Sequence, residues 1–453
     1  MRIDRRTFLR GSVTGGAFLA LQHALPGDTF GQTVRSETYG PLVRTPSLNT
    51  GESLIALPPG FQYTAIGRRG SQMADGNPTP PRPDGMSAFQ VRGELRLVRN
   101  HEEFEAGTRI ARSGEFYDTV GRGGTTTLVV DPRSRLLVRD FVSLSGTSVN
   151  CAGGFTPWGS WITCEETTEG PGAGFQKKHG YCFEVPSDAD GPVAARPLTA
   201  MGRFRHEAIA IDPASGIVYL TEDLGGSGFY RFLPNTAGRL ADGGRLQMLA
   251  ILDRPRYDTQ TGQLPGIRLP VYWVDIAEPD PVDAEFNLFA VYNQGRALGA
   301  AKFARLEGAY YASGRIVFVA TNGGDKGLGQ IWEYLPYRAI GARRRAVRSP
   351  VSGVLRLVYE STDINTLKAP DNLCMSPRGS LLLCEDGPTT QQYLRGLTSV
   401  GEIFDFARYD TESFGRAEFA GATFSPDGET LFVNLQGPDV TLAIWGPWTD
   451  GRL

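Results

Sequence analysis

Histidine is nearly absent from this chain: there are four in 453 residues. A metal site here must therefore be mostly oxygen-ligated. Cysteine is also scarce and odd in number, at five. If the protein is exported, at least one cysteine stays free or metal-bound. The formal net charge is only −3, and no long basic run stands outside Arg343 to Arg345, which excludes a general nucleic-acid binder. The one leading apolar stretch, Gly11 to Leu21, is too short and glycine-rich to give a stable membrane span. Glycine (57) and proline (30) are both plentiful, and they favour many short strands joined by turns over long helices.

Asp4-Arg5-Arg6-Thr7-Phe8-Leu9-Arg10 has the form of a twin-arginine signal, followed by the weakly apolar stretch just named. Residues 1–32 are read as that signal and residues 33–453 as a single domain. The expected location is periplasmic or secreted, reached as a folded protein through the twin-arginine export machinery.

Thr33 to Pro58 reads as a polar lead-in and Gly60 to Arg68 as a first strand. Ser71 to Met86 reads as a loop, Gly93 to Glu103 as a half-buried strand, and Gln391 to Gly401 as a polar loop. Arg338 to Arg348 is a basic helix or loop. Turns at Asp131-Pro132, Thr156-Pro157, Asp212-Pro213, Ala312-Ser313-Gly314, Ser376-Pro377 and Ser425-Pro426 are each followed by an apolar run. Repetition of this sort sets a fold. It predicts an all-β, six-bladed β-propeller with loop insertions and a metal site in the central channel; a decorated β-sandwich is the alternative.

Six residues before the turn proline stand Cys151, Glu207 and Asp371. Beyond the run stand Glu165, Glu222 and Glu385, followed by Glu166, Asp223 and Asp386. The hairpin without proline carries Glu307, then Asn322 and Asp325; the last carries Glu418, Asn434 and Gln436. A lone glutamate at a strand end is ordinarily a solvated turn residue, and a lone cysteine a small core residue. Equivalent placement across hairpins instead predicts a ring of carboxylates with one thiolate at a channel mouth. So many acids need cations between them. Oxygen donors suit Ca²⁺ or Mg²⁺, and the thiolate adds affinity for a transition metal. Adjacent strand residues face opposite ways, so only one of Glu165 and Glu166 should enter the channel. Cys164, Cys182, Cys374 and Cys384 lie in or beside apolar runs and are assigned to packing or to one disulfide.

The signal, Asn100-His101-Glu102, Asn150-Cys151-Ala152-Gly153-Gly154, Thr156-Pro157-Trp158-Gly159, Cys164-Glu165-Glu166, Gly202-Arg203-Phe204 with His206-Glu207, and Asp371-Asn372-Leu373 with Glu385-Asp386-Gly387 together resemble the PhoX-type secreted alkaline phosphatases. The resemblance covers most of the mature chain. It implies a six-bladed propeller with iron, as a di-iron pair, and calcium in the channel. It also implies hydrolysis of phosphate monoesters, and diesters as a further possibility, of small molecules. On that resemblance Cys151 bridges the irons, Glu166, Glu207 and Glu307 are metal carboxylates, and Asp371 and Glu385 are calcium ligands. Arg305, in Arg305-Leu306-Glu307, grips the phosphate, which suits a guanidinium fork. Leucine stands at 306 where the family carries proline.

The expected activity is that of a metal-dependent phosphoester hydrolase, with Arg305 and Glu207 in the catalytic set. No Gly-x-Ser-x-Gly elbow is present. Two other readings fit the repeat: a calcium-dependent propeller lactonase or esterase, and a non-catalytic binding propeller in which calcium ties the blades together. Cys151 separates them, because neither needs a thiolate.

Overall fold

The structure, a computed structural model, describes residues 38–111, 113–337, 351–387, 391–409 and 417–453. The twin-arginine segment and Arg338 to Arg348 lie outside the described residues. The described chain is an all-β propeller, its strands joined by glycine- and proline-rich turns, with one short helix at Ala290–Ala297. No described helix is long and apolar enough to cross a membrane.

The strands form five antiparallel sheets. Pro83–Val91, Glu94–His101, Gly123–Val130 and Leu137–Thr147 make a four-stranded sheet, and Asn150–Phe155, Ser160–Glu165 and Cys182–Pro186 a three-stranded one. Pro370–Met375, Leu381–Glu385, Tyr393–Leu397 and Ile403–Tyr409 are extended by Ile55–Leu57 and Val43–Thr45. Glu418–Phe424, Leu431–Gln436 and Val440–Trp445 are completed by Gln62–Ile66 from the other end of the chain.

The fifth sheet corrects the expectation of six separate blades. Nine strands run from His206–Ile211 to Leu306–Ala312 in one hydrogen-bonded series. The cause is Arg268–Asp275, which pairs with Gly244–Ile251 on one side and Gly353–Glu360 on the other. It fills the gap that two blades would leave between their outer edges. The sheet curls into a nearly closed barrel. Its inner ends meet again where Thr221 Oγ1 donates to the Glu307 carbonyl at 2.6 Å.

Three local expectations are also corrected. The Asp131-Pro132 turn joins the outer strands of its sheet, Gly123–Val130 and Leu137–Thr147. The inner hairpin is Pro83–Val91 with Glu94–His101, turning at Arg92-Gly93 without proline. Part of the expected Ser71–Met86 loop is therefore inner strand, and Tyr393–Leu397 is a strand where a loop was expected. The polar lead-in contributes two short strands, of which Val43–Thr45 is the edge of its sheet.

The core lies between neighbouring sheets, not around the axis. Leu382, Cys384 and Phe404 of one sheet, for example, pack on Phe419, Val433 and Leu442 of the next. Burial on both faces follows from this stacking.

Candidate metal centre

One device recurs on all six inner strands. Asn150 lies opposite Glu165 and Gly153 opposite Thr163, three steps against two. The same one-residue bulge occurs after Pro83, His206, Leu306, Pro370 and Ala420. A bulge re-aims side chains and ends regular pairing. The first bulged residues are Asp84, Cys151, Glu207, Glu307, Asp371 and Gly421, so five of the six are metal-ligand types. Glycine fits the close inner packing: a Cβ on Gly154 would stand 2.2 Å from the Ile209 carbonyl oxygen, and one on Gly421 2.3 Å from that of Asp84.

The bulges bring Cys151, Glu166 and Glu207 together, and likewise Glu207, Glu307 and Asp371. Within each group the donor atoms lie within 4.8 Å of one another. Donors on opposite sides of a calcium ion are separated by about 5 Å, so both groups have the dimensions of an ion site. Glu207 belongs to both, and its Oε2 is buried without a hydrogen-bond partner. A buried unpartnered carboxylate oxygen costs about 1–3 kcal/mol or more, and a bound cation removes that cost. The donor set thus fits metal, with a thiolate at one end and oxygen alone at the other.

Alternation then separates the paired acids. Glu165 points away from the channel and accepts from Ser148 N (2.9 Å), Gly180 N (2.8 Å) and Tyr181 N (3.1 Å), and it pairs with His179 Nδ1 at 2.6 Å. Glu385 is occupied in the same way by Arg395 Nε (3.0 Å), Lys368 Nζ (3.3 Å) and Tyr393 N (3.1 Å). Glu222 accepts from Gly228 N and the Tyr230 hydroxyl, both at 2.9 Å. These three brace loops. Their successors, Glu166, Asp223 and Asp386, face the ring. The expected ligands Glu165 and Glu385 are accordingly not brought to the ion-sized groups, whereas Cys151, Glu166, Glu207, Glu307 and Asp371 are. Asn322 and Asp325 are exposed, and Asp325 accepts from Gly262 N at 2.7 Å.

The ring also includes Asp84 and Glu102, neither of which was a sequence candidate. Gln436 Nε2 donates to Asp84 Oδ2 at 2.9 Å and Glu102 Oε2 at 3.0 Å, bridging them. Asp84 was hidden because its hairpin lacks the turn proline. Glu102 had a visible signal, the position after a strand end that Glu166 and Asp386 share. Asn100 supports the thiol's backbone: its amide donates to the carbonyls of Cys151 (2.8 Å) and Ala152 (2.7 Å) and accepts from Trp161 Nε1 (2.8 Å). All five cysteines are free and buried. Cys164 and Cys182 lie opposite each other with sulfurs 3.6 Å apart.

The electrostatics are those of acids crowded together away from water. Burial, then neighbouring acids, pushes the carboxyls of Asp84, Glu207, Glu307 and Glu418 well above their ordinary range. Burial and Asp386 raise Asp371 to about 8. Burial raises Glu102 to about 7 against the Gln436 hydrogen bond. Burial, Glu207 and Glu166 hold the Cys151 thiol protonated, and that thiol faces the His206 carbonyl at 3.2 Å.

Two arginines stand over this set. Arg305 places Nε and Nη2 on Asp223, each at 2.8 Å, and Nη2 also lies 2.9 Å from Glu307. Arg205 donates through Nε to the Glu166 carbonyl (3.3 Å) and through Nη2 to its carboxylate. Both arginine side chains are partly exposed, by 41% and 34%, so the ring opens to solvent on their side. Below it the channel narrows to a cavity of about 50 Å³ lined by backbone and by Met86, Ile209 and Leu373. That is room for a few waters.

Residues 38–140 and 133–439 match the family model described as alkaline phosphatase PhoX. No curated protein matches the chain in sequence. Among solved structures, Pseudomonas fluorescens PhoX in complex with vanadate, a transition state analogue, superposes with a TM-score of 0.65 at 18% identity, over 88% of this chain and 97% of that one. The gluconolactonase XC5397 from Xanthomonas campestris aligns at a TM-score of 0.44 and 13% identity, over 91% of this chain and 100% of that one. The family match spans most of the chain and the bulged inner strands that carry the ring: the chain belongs to the alkaline phosphatase PhoX family, and is a phosphatase.

Proposed function

We propose that the chain hydrolyses phosphate esters of small molecules outside the cytoplasm, using metal ions held in the bulge ring. The observation that carries this reading is Glu207, shared by two ion-sized ligand groups and left with a buried, unpartnered oxygen. The proposed ligands are Cys151, Glu166, Glu207, Glu307 and Asp371. Cys151, Glu166 and Glu207 would hold iron, which suits the thiolate end, and Glu207, Glu307 and Asp371 would hold calcium at the all-oxygen end. When bound, the ions supply Lewis acidity towards phosphoryl oxygens and a low-pKa water.

The chain's own residues do the rest. Glu166, Glu207 and Glu307 offer acceptors from inner-strand ends that are packed and rigid, which fixes the site's geometry. Asp223 aims the Arg305 fork, which matches phosphate oxygens and keeps its charge. Burial works against that charge, but Asp223 and Glu307 more than offset it and raise the Arg305 pKa.

Residues 1–32 are the proposed twin-arginine signal, and residues 33–453 the exported domain. Export as a folded protein allows metal to be installed before transport. N-terminal sequencing of the secreted protein tests this, and an intact residue 1 would refute it.

The test of function uses protein exported from its native host. It should contain iron and calcium, hydrolyse p-nitrophenyl phosphate, and lose that activity to a chelator. Cys151→Ser should lose both iron and activity. A Cys151→Ser protein that keeps both would end the iron reading.

A further inference from the structure

The inner-strand repeat assigns a role to a side chain outside the proposed ligand set. Two residues before each bulged ring residue stand Arg82 (before Asp84), Val149 (before Cys151), Arg205 (before Glu207), Arg305 (before Glu307) and Ala369 (before Asp371). This position is unusual in its backbone. Arg82, Val149, Arg305 and Ala369 all have positive φ, at 48°, 49°, 46° and 38°. Arg205 alone of the five does not. The position sits at the lip of the channel, one residue outside the first sheet pair.

Three of these five lip residues are arginines, and they differ in what they hold. Arg82 is turned aside: its guanidinium lies 4.6 Å from the Phe104 ring centroid, and its Nε is 3.9 Å from Glu103. Arg305 sits on Asp223 and Glu307. Arg205 spends Nε and Nη2 on Glu166, and no hydrogen bond joins its Nη1 to the described residues. The two guanidinium groups are linked through their neighbours: Asp223, which Arg305 holds, donates its backbone N–H to the Arg205 carbonyl at 3.1 Å.

We infer that Arg205 is a second phosphate-binding arginine, placed across the Glu166–Asp223 side of the mouth from Arg305. The inference rests on the phosphoesterase reading above. A phosphate ester entering from solvent passes both guanidinium groups before it reaches the ring. A single guanidinium balances one of the two negative charges of a phosphate monoester dianion; Arg205 balances the other. A diester carries one charge and gains less from the second arginine. Arg205 also pairs with Glu166, so the alternative role is structural: neutralising a ligand and nothing more.

The experiment separates these roles with Arg205→Met and Arg205→Lys. Four quantities are read on purified, metal-containing protein: metal content, KM and kcat for p-nitrophenyl phosphate, the same for bis-p-nitrophenyl phosphate, and inhibition by inorganic phosphate. A charged hydrogen bond to phosphate corresponds to about a ten- to hundredfold effect. Arg205→Met should raise the monoester KM and the phosphate inhibition constant by that factor, lower the diester efficiency less, and leave metal content intact. Arg205→Lys should recover part of the loss. An unchanged phosphate inhibition constant overturns the inference, as does activity lost only in proportion to metal in both variants. A wild-type protein inactive on every phosphate ester would instead sink the underlying reading of function.

Discussion

Arg305 rests its fork on the two carboxylate oxygens of Asp223, Nε on one and Nη2 on the other, both at 2.8 Å. The pair stands on the side where the acidic ring opens to solvent. Asp223 therefore sets where the guanidinium points, and Glu307 holds the same group from below at 2.9 Å. Asp223→Asn keeps the shape but loses the charge and one acceptor. KM for a phosphate ester should rise roughly tenfold. Stability should change by no more than about 1 kcal/mol, because Arg305 is 41% exposed and solvent screens the pair. Steady-state kinetics and urea unfolding read the two effects. An unchanged kcat/KM would show that Arg305 is not aimed by Asp223.

The ring should make the metal-stripped protein less stable as pH rises. Asp371 moves from an ordinary 3.8 up to about 8 and Glu102 from 4.5 to about 7. Between those values the folded chain holds more protons than the unfolded one, so unfolding becomes easier with each step in pH. The melting temperature of stripped protein should fall from pH 4.5 through pH 8. Added calcium should flatten the curve by binding the ionised form. A stripped protein whose melting temperature climbs through this range would contradict the arrangement.

Glu385 and Asp371 offer a contrast within one hairpin. Glu385 is fully buried between Arg395 and Lys368. Glu385→Gln leaves buried cations short of their partner and should cost about 3 kcal/mol, the lower end because Arg395 keeps Asp405. Calcium binding should survive. Asp371→Asn should do the reverse: calcium affinity falls while the metal-free form is no less stable. Denaturation and calcium titration calorimetry on both variants check the pair. Equal calcium loss in both would return Glu385 to the ligand set.

Much of this centre was legible in the chain. The spacing of Cys151, Glu207 and Asp371 before a turn proline reports a real equivalence, because each is the first residue of a bulge. The choice between Glu165 and Glu166 was not legible. Both sit at a strand end, and only the loop that folds back through His179, Gly180 and Tyr181 decides which one it captures. Asp84 was invisible because its hairpin turns at Arg92-Gly93, and a proline was the marker. The nine-stranded sheet was equally hidden: Arg268–Asp275 reads as one more strand, and nothing local states that both of its edges are taken. Hairpins are local and so leave a pattern; edge-to-edge pairing across long separations does not.

Gln62–Ile66 completes the sheet of Glu418–Phe424, Leu431–Gln436 and Val440–Trp445. Asp84 follows soon after the first of these segments, and Gly421 and Gln436, which touch it, lie in the last sheet. The circle of acids is thus gathered only when residues from nearly opposite ends of the described chain have met. Loop closure over such a span is slow and comes late. Hairpins can form as they are synthesised, but the place for the ions cannot. On the proposed reading, metal capture would belong to the final stage of assembly, when it would lock a circle of crowded acids.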